Sequence, residues 1–184
     1  MRLITKNRNI DLSKEAKLKK YLSISVLGKN LKLDIKFKNI KLPETNIGEQ
    51  ILKIVLPNRY EKLNKVEIIN KVIEKLYIKI AEKEVLESME IARTILGIAP
   101  EDYEIKKMKN EYIKIGSNKI LTINPEIVKY NRRVIDSSII EAFCKLRYKK
   151  GSNKYNNNLK YGIKEYDNLA YSKIREEEEI YKVC

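Results

Sequence analysis

The first part of the chain alternates apolar and polar residues. Leu22, Ile24 and Val26 are separated by Ser23 and Ser25. After Gly28-Lys29-Asn30, Leu31, Leu33, Ile35 and Phe37 alternate with Lys32, Asp34, Lys36 and Lys38. A period of two puts one set of side chains on one face of a strand, so these runs predict a β-hairpin around the Gly-containing turn. Pro43 to Gly48 reads as loop, and Ile51 to Leu56 as a third strand closed by Pro57. The period then changes. Asn64, with Glu67 three residues on, carries a helix-capping signal. From Lys65 to Leu96 there is no Gly or Pro, and Val66, Ile69, Val72, Ile73, Leu76, Ile80, Val85, Met89, Ala92, Ile95 and Leu96 fall at helical spacing. That span is one long helix or two with a joint near Glu82 to Glu84. Gly97 ends it and Pro100 follows.

Short strands are predicted next at Tyr103 to Met108, Glu111 to Ile115 and Lys119 to Ile123, with a turn at Gly116-Ser117-Asn118 and a stop at Asn124-Pro125. Glu126 to Tyr130 reads as a short helical turn. Between Arg133 and Gly151 the apolar residues Ile135, Ile139, Ala142, Phe143 and Leu146 define an amphipathic helix with one face in a core. Glu141 and Lys145 stand four apart on a neighbouring face, the favourable orientation for a helical ion pair. Ser152 is placed to cap a short helix to Tyr161, Gly162 to break it, and Ile163 to Val183 to form a last helix. One short strand is expected near Leu3 to Thr5.

Composition adds little to the fold and more to the question of partners. The 184 residues hold 39 Lys and Arg against 25 Asp and Glu, a formal charge of +14. Such a surplus favours nucleic acid, an acidic protein or another anionic surface. Richness in Lys, Ile and Asn with little Gly, Pro and no Trp also fits a compositional bias that puts lysine on every solvated face. The densest cations are Arg132, Arg133, Arg147, Lys149, Lys150 and Lys154, at both ends of the central helix, a candidate anion-binding set. Tyr130, Tyr148 and Tyr155 stand among them, as stacking platforms or as core-edge residues with wet hydroxyls. Two cysteines, Cys144 and Cys184, make no disulfide framework, and a reducing cytoplasm is expected. No apolar run near the start reads as a signal peptide, and no window has the length of a membrane span. With no histidine in the chain, Cys144 lacks the usual base for a nucleophile and reads as a small core residue.

The order of elements is an α+β plan, and two segments make it more specific. Met108 to Glu126 and Ile135 to Ser152 resemble consecutive signatures of the YgjP-like metallopeptidase-domain family, zincin-like relatives of the SprT-like proteases. The family pattern runs M-K-x-R-W-G-S-C, a strand ending in N-P or N-W, I-D-Y-V-x-x-H-E-L/F-C-H-L, then N-H-S. The resemblance runs from the first hairpin to about Tyr166. It implies a zincin-like fold, with an N-terminal hairpin and small mixed sheet packed on long helices around the helix that carries H-E-x-x-H in relatives. With the reading of the residues, this gives a basic, loosely ordered lead-in at 1–19, the family-like domain at 20–162 and a terminal helix at 163–184 packed on it.

In relatives, the resemblance implies, two His four apart hold zinc, the Glu between acts as general base, and the third ligand is the His of N-H-S. Here the ligand positions are Glu141, Lys145 and Gly151, and the general-base position is Ala142. Met108-Lys109-Asn110 is kept, but R-W-G-S-C has become Glu111 to Ile115. Scaffold residues Asn124, Pro125, Ile135, Asp136, Phe143, Cys144, Leu146 and Ser152 persist. No cofactor is therefore expected where relatives use zinc, and the leading expectation is a degenerate member acting as a scaffold or binding protein. Two alternatives stay open: a nucleic-acid-binding module using the basic surface, and a metal-dependent hydrolase with a non-standard site built on Glu141 and acidic residues of the last helix.

Overall fold

The computed structural model describes the backbone of residues 23–183 and the side chains of residues 23–170. The expected strand near Leu3, the lead-in at 1–19 and Cys184 lie outside the described residues. The chain divides into two compact units, residues 1–72 and 73–184.

In the first unit, β1 (Ser23–Val26) and β2 (Lys29–Lys38) form the antiparallel hairpin that the alternation predicts, with Leu27 and Gly28 at positive φ in its turn. β3 (Glu44–Ile47) and β4 (Ile51–Pro57) complete a four-stranded sheet in the order β1-β2-β4-β3. β2 and β4 run parallel, and the register sets Leu33 beside Leu52, Ile35 beside Ile54 and Phe37 beside Leu56. Apolar residues thus meet apolar residues on one face, which pins the register, since a slip of one would turn them all over. β3 replaces the loop expected between Pro43 and Gly48. All four of its residues are exposed, so it is an edge strand held by backbone pairing to β4 and carries no apolar alternation to announce it.

Helix α1 (Lys65–Leu96) is continuous, with no joint near Glu82 to Glu84. In the second unit its buried residues include Tyr77, Ala81, Val85 and Ala92. A three-stranded sheet follows, built from β5 (Asp102–Ile105), β6 (Ile113–Ile115) and β7 (Ile120–Ile123) in the order β5-β7-β6. β7 is central, with Leu121 and Ile123 fully buried, and β6 is an edge. Asn124 bonds outward from the end of β7: its amide donates to the carbonyls of Met108 and Glu111 and its oxygen accepts from the Glu126 N–H. This is why the Asn-Pro corner leads into a 3-10 turn at Pro125–Lys129.

Helix α2 (Arg132–Arg147) starts at Asn131, whose side chain accepts from the Val134 N–H, and stops at Tyr148. Ile135, Ile139, Ile140, Phe143 and Cys144 are buried, the face that the spacing predicts. Helix α3 (Asn153–Val183) is one uninterrupted helix, so the break expected at Gly162 does not occur. A Cβ at Gly162 would lie 2.8 Å from Ile140 Cγ2 and 3.2 Å from Leu96 Cδ2. The glycine is where α3 approaches α2 and the end of α1, a packing role, and helical hydrogen bonding continues through it. Among the described residues, seven strands and three α-helices make an α+β fold with small mixed sheets.

Candidate functional site

The open face of α2 looks onto the edge strand β6. Between them lies a cleft of about 410 Å³, lined by Glu111 to Ile115 on one side and by Ser138, Glu141, Ala142 and Lys145 on the other. The helical period places Ser138, Glu141 and Lys145 on one side of α2, away from its buried stripe.

The expected ion pair is formed. Lys145 Nζ is 2.7 Å from Glu141 Oε1. The Tyr155 hydroxyl donates to the same oxygen at 3.1 Å. The Lys145 ammonium, the Tyr155 hydroxyl and the charge of Lys150 together hold the Glu141 carboxyl below its ordinary range, against a smaller opposing effect of partial burial. Tyr155 is buried, and burial with the Glu141 carboxylate beside it pushes its hydroxyl up to about 12. Tyr155 reaches this point because the chain reverses between α2 and α3. Gly151 makes that turn at φ +84, a conformation that a residue with a Cβ adopts only under strain, and the Ser152 hydroxyl accepts from the Tyr155 N–H at the start of α3. Ala142 is nearly inaccessible, at 3 % exposure.

A second polar cluster lies at the other end of α2. Arg132 donates to the buried Asp136 at 3.0 Å, to Glu84 at 2.6 Å and to Glu87 at 3.0 Å. Ser88, also buried, bonds Asp136 from α1. Tyr166 of α3, pushed up to about 12 by burial and by its bond to Asp136, closes the group. This cluster ties three helices together through one buried carboxylate.

The six cations of the candidate anion-binding set are thereby sorted. Arg132 is enclosed by three carboxylates, and Arg133 pairs with Asp167 at 3.1 Å. Arg147, Lys149, Lys150 and Lys154 are exposed around the α2–α3 turn. The Arg147 guanidinium sits 5.9 Å from the centre of the Tyr148 ring. Tyr155 offers no stacking face, because its ring is buried. Tyr130 instead meets Tyr112 edge to face, with ring centres 5.2 Å apart. Cys144 is fully buried, and burial raises its thiol, which fits a core residue and disfavours a thiolate. Among the described residues, no three His, Cys, Asp or Glu side chains group as a metal site, and the described part of α3 brings no carboxylate to Glu141.

The chain matches the family model described as YgjP-like, metallopeptidase domain, over residues 2–167. The chain belongs to the YgjP-like metallopeptidase domain family. No curated protein matches it, and no solved structure does. For this YgjP-like domain, the zinc that a metallopeptidase uses can be tested against the side chains present. At the positions where the sequence resemblance puts the family's ligands, Glu141 offers one oxygen ligand, Lys145 an ammonium that would repel a cation, and Gly151 no side chain at all. Ala142 cannot accept a proton. The positive φ at Gly151 would also strain a histidine placed there. These residues do not fit a zinc ion.

Sequence reasoning named Tyr155 as a stacking platform or core-edge residue and missed its bond to Glu141. Its signal was present: Tyr155, Leu159, Gly162 and Tyr166 fall at spacings of four, three and four. That stripe runs straight through the glycine and marks a continuous helix with Tyr155 on its packed face.

Proposed function

We propose that this YgjP-like domain holds an extended peptide segment in the cleft between α2 and β6 and does not hydrolyse it. The observation that carries the reading is the Lys145–Glu141 ion pair, braced by Tyr155, at the two helix positions where the resemblance expects zinc-binding histidines. A hydrolase of this kind needs three ligands, an open coordination position and a base, and the pair supplies an internal cation and a carboxylate already engaged.

The cleft keeps the features that bind a main chain. Asn124 N–H donates to Tyr112 O and Gly116 N–H to Ile120 O, and Lys114 lies opposite Thr122. In an antiparallel ladder the hydrogen-bonded positions alternate. Tyr112, Lys114 and Gly116 therefore point their backbone groups at β7, while Ile113 and Ile115 point theirs away, to the free edge. An extended segment can pair with those groups as an added strand.

The test combines three measurements on protein purified without metal. Calorimetric titration with zinc should show no stoichiometric site. A peptide-library cleavage assay with and without zinc should show no turnover. A pool of fluorescent extended peptides should bind and lose affinity in Ile115→Pro, which removes one outward N–H without touching the ladder. Stoichiometric zinc binding lost in Glu141→Gln, or metal-dependent cleavage, would defeat the proposal.

A further inference from the structure

The turn between α2 and α3, which brings Tyr155 to Glu141 of the cleft wall, carries cations that form no ion pair. Arg147, Lys149, Lys150 and Lys154 lie within eight residues, gathered by the turn at Gly151, and among the described residues none of them forms an ion pair. Some other lysines of the second unit are paired, Lys83 with Glu87, Lys107 with Glu74 and Lys129 with Glu126, but what sets the turn apart is that four cations without ion pairs lie within eight residues. The cluster is also tied to the cleft itself, since Tyr155, next to Lys154, donates to Glu141 of the cleft wall at 3.1 Å. Within the cleft, Glu141 is matched by Lys145, while Glu111, on the same wall as Lys114, forms no ion pair among the described residues. With Lys114 and Lys145 in the cleft and four cations on the turn, positive side chains outnumber these two carboxylates.

We infer that the segment held in the cleft is acidic: an extended peptide that pairs with the free edge of β6 and lays Asp or Glu side chains against the Arg147, Lys149, Lys150 and Lys154 turn. This rests on the peptide-holding reading above and adds the chemistry of the partner. Two properties favour a polypeptide over a nucleic acid. Outward backbone groups at Ile113 and Ile115, spaced two residues apart, match the repeat of an extended main chain. A sugar–phosphate backbone, unlike a peptide main chain, has no N–H donors at a regular repeat to answer those carbonyls. The aromatic rings nearest the cations are also poor platforms for bases: Tyr155 is buried and Tyr148 is partly covered, with a guanidinium beside it. Cations grouped at one border of a groove also set direction, because only a segment with its acidic residues toward that border satisfies them.

Fluorescence anisotropy on the full chain tests this with four probes of equal length: an extended peptide rich in Glu, its Gln counterpart, its Lys counterpart and a single-stranded oligonucleotide. The Glu peptide should bind at least about tenfold tighter than the Gln peptide at low salt, with the gap closing as salt rises. The Lys peptide should bind weakest. In the Lys149→Glu/Lys150→Glu/Lys154→Glu variant the preference for Glu should disappear while the Gln peptide binds as before. That retained binding shows the variant is folded and keeps the cleft. In Ile115→Pro every peptide should weaken together. Equal binding of Glu and Gln peptides would overturn this inference and leave the peptide-holding reading standing. An oligonucleotide that binds more tightly than the Glu peptide, and is lost in the triple variant, would overturn it in favour of nucleic acid. Failure of all peptides would remove both.

Discussion

Replacing Gly162 by alanine sets two known effects against each other. In the middle of a helix, Ala is favoured over Gly by about 1 kcal/mol, so an open site would gain stability. Gly162 is not open. The new Cβ would stand 2.8 Å from Ile140 Cγ2 and 3.2 Å from Leu96 Cδ2. Carbon atoms settle at ~3.5–4.0 Å, so the first contact must lengthen by roughly 0.7 Å. The Leu96 methyl ends a flexible side chain and can yield. Ile140 cannot: its Cγ2 is attached to Cβ, a β-branched side chain has one favoured rotamer in a helix, and the residue is fully buried. Relief therefore requires α3 to move off α2. Overpacking of this kind costs about 1–3 kcal/mol, which exceeds the propensity gain. The expected net loss is about 1 kcal/mol, a fall in Tm of ~2–4 °C for a chain of this size. Urea unfolding followed by far-UV circular dichroism measures it, and Gly162→Leu should lose more. Tyr155 is seven residues earlier on the same face of α3, so its bond to Glu141 should stretch and let the Glu141 carboxyl titrate nearer its ordinary range, readable by NMR. A Gly162→Ala protein stabilised by the full propensity difference would refute the close-packing argument.

Three further outcomes are expected. Tyr155→Phe removes the hydroxyl on Glu141 without changing shape; for a half-exposed charged acceptor the cost is about 1 kcal/mol, and the Glu141 titration should move up, as seen by NMR. Arg132→Met leaves Asp136 buried at 1 % exposure without its cation, a loss on the order of 3 kcal/mol in urea unfolding, and adding Asp136→Asn should recover part of it. Burial pushes Tyr77, Tyr155 and Tyr166 up to about 12 from the model-peptide value of 10.0. The folded state then holds protons that the unfolded state has lost, so stability should be complete below pH 10 and fall as pH rises from 10 toward 12, with tyrosinate absorbance appearing together with unfolding.

Much of the fold was readable because burial is periodic. β1, β2 and β4 alternate, α1 and α2 repeat at helical spacing, and the structure places those elements as the spacing predicts. β3 was not readable: its four residues are all exposed, and its only determinant is backbone pairing to a strand that folds elsewhere. Gly162 was misread because glycine has two uses, ending a helix and letting one approach, and only the partner surface distinguishes them. The site divides in the same way. Glu141 and Lys145 are neighbours on one helix, so their spacing predicts the bond observed at 2.7 Å. Tyr155 reaches Glu141 only through the Gly151 turn, and Arg132 finds Glu84 and Glu87 nearly fifty residues away. Contacts made across a turn or between helices have no local signature.

The two faces of α2 answer to different constraints. Ile135, Ile139, Ile140, Phe143 and Cys144 are buried, and truncating one would cost a few kcal/mol, ~2–5 for a large aliphatic residue. Ser138, Glu141 and Lys145 line open space, where an exposed or half-exposed ion pair contributes roughly 0–1 kcal/mol. Changes on the open face therefore leave the fold intact, and a metallopeptidase scaffold can exchange its ligands for an ion pair without losing its cleft. On the proposed reading, such an exchange would be harder to undo at Gly151. Its backbone sits at φ +84, so a histidine there would be strained by its own Cβ before any metal arrived. Two substitutions on α2 could restore the helix ligands, but the third position requires the turn itself to be rebuilt. That turn also carries Tyr155 to Glu141 and gathers the four cations, so on the proposed reading the loop expected to hold the third ligand instead braces the carboxylate of the cleft wall.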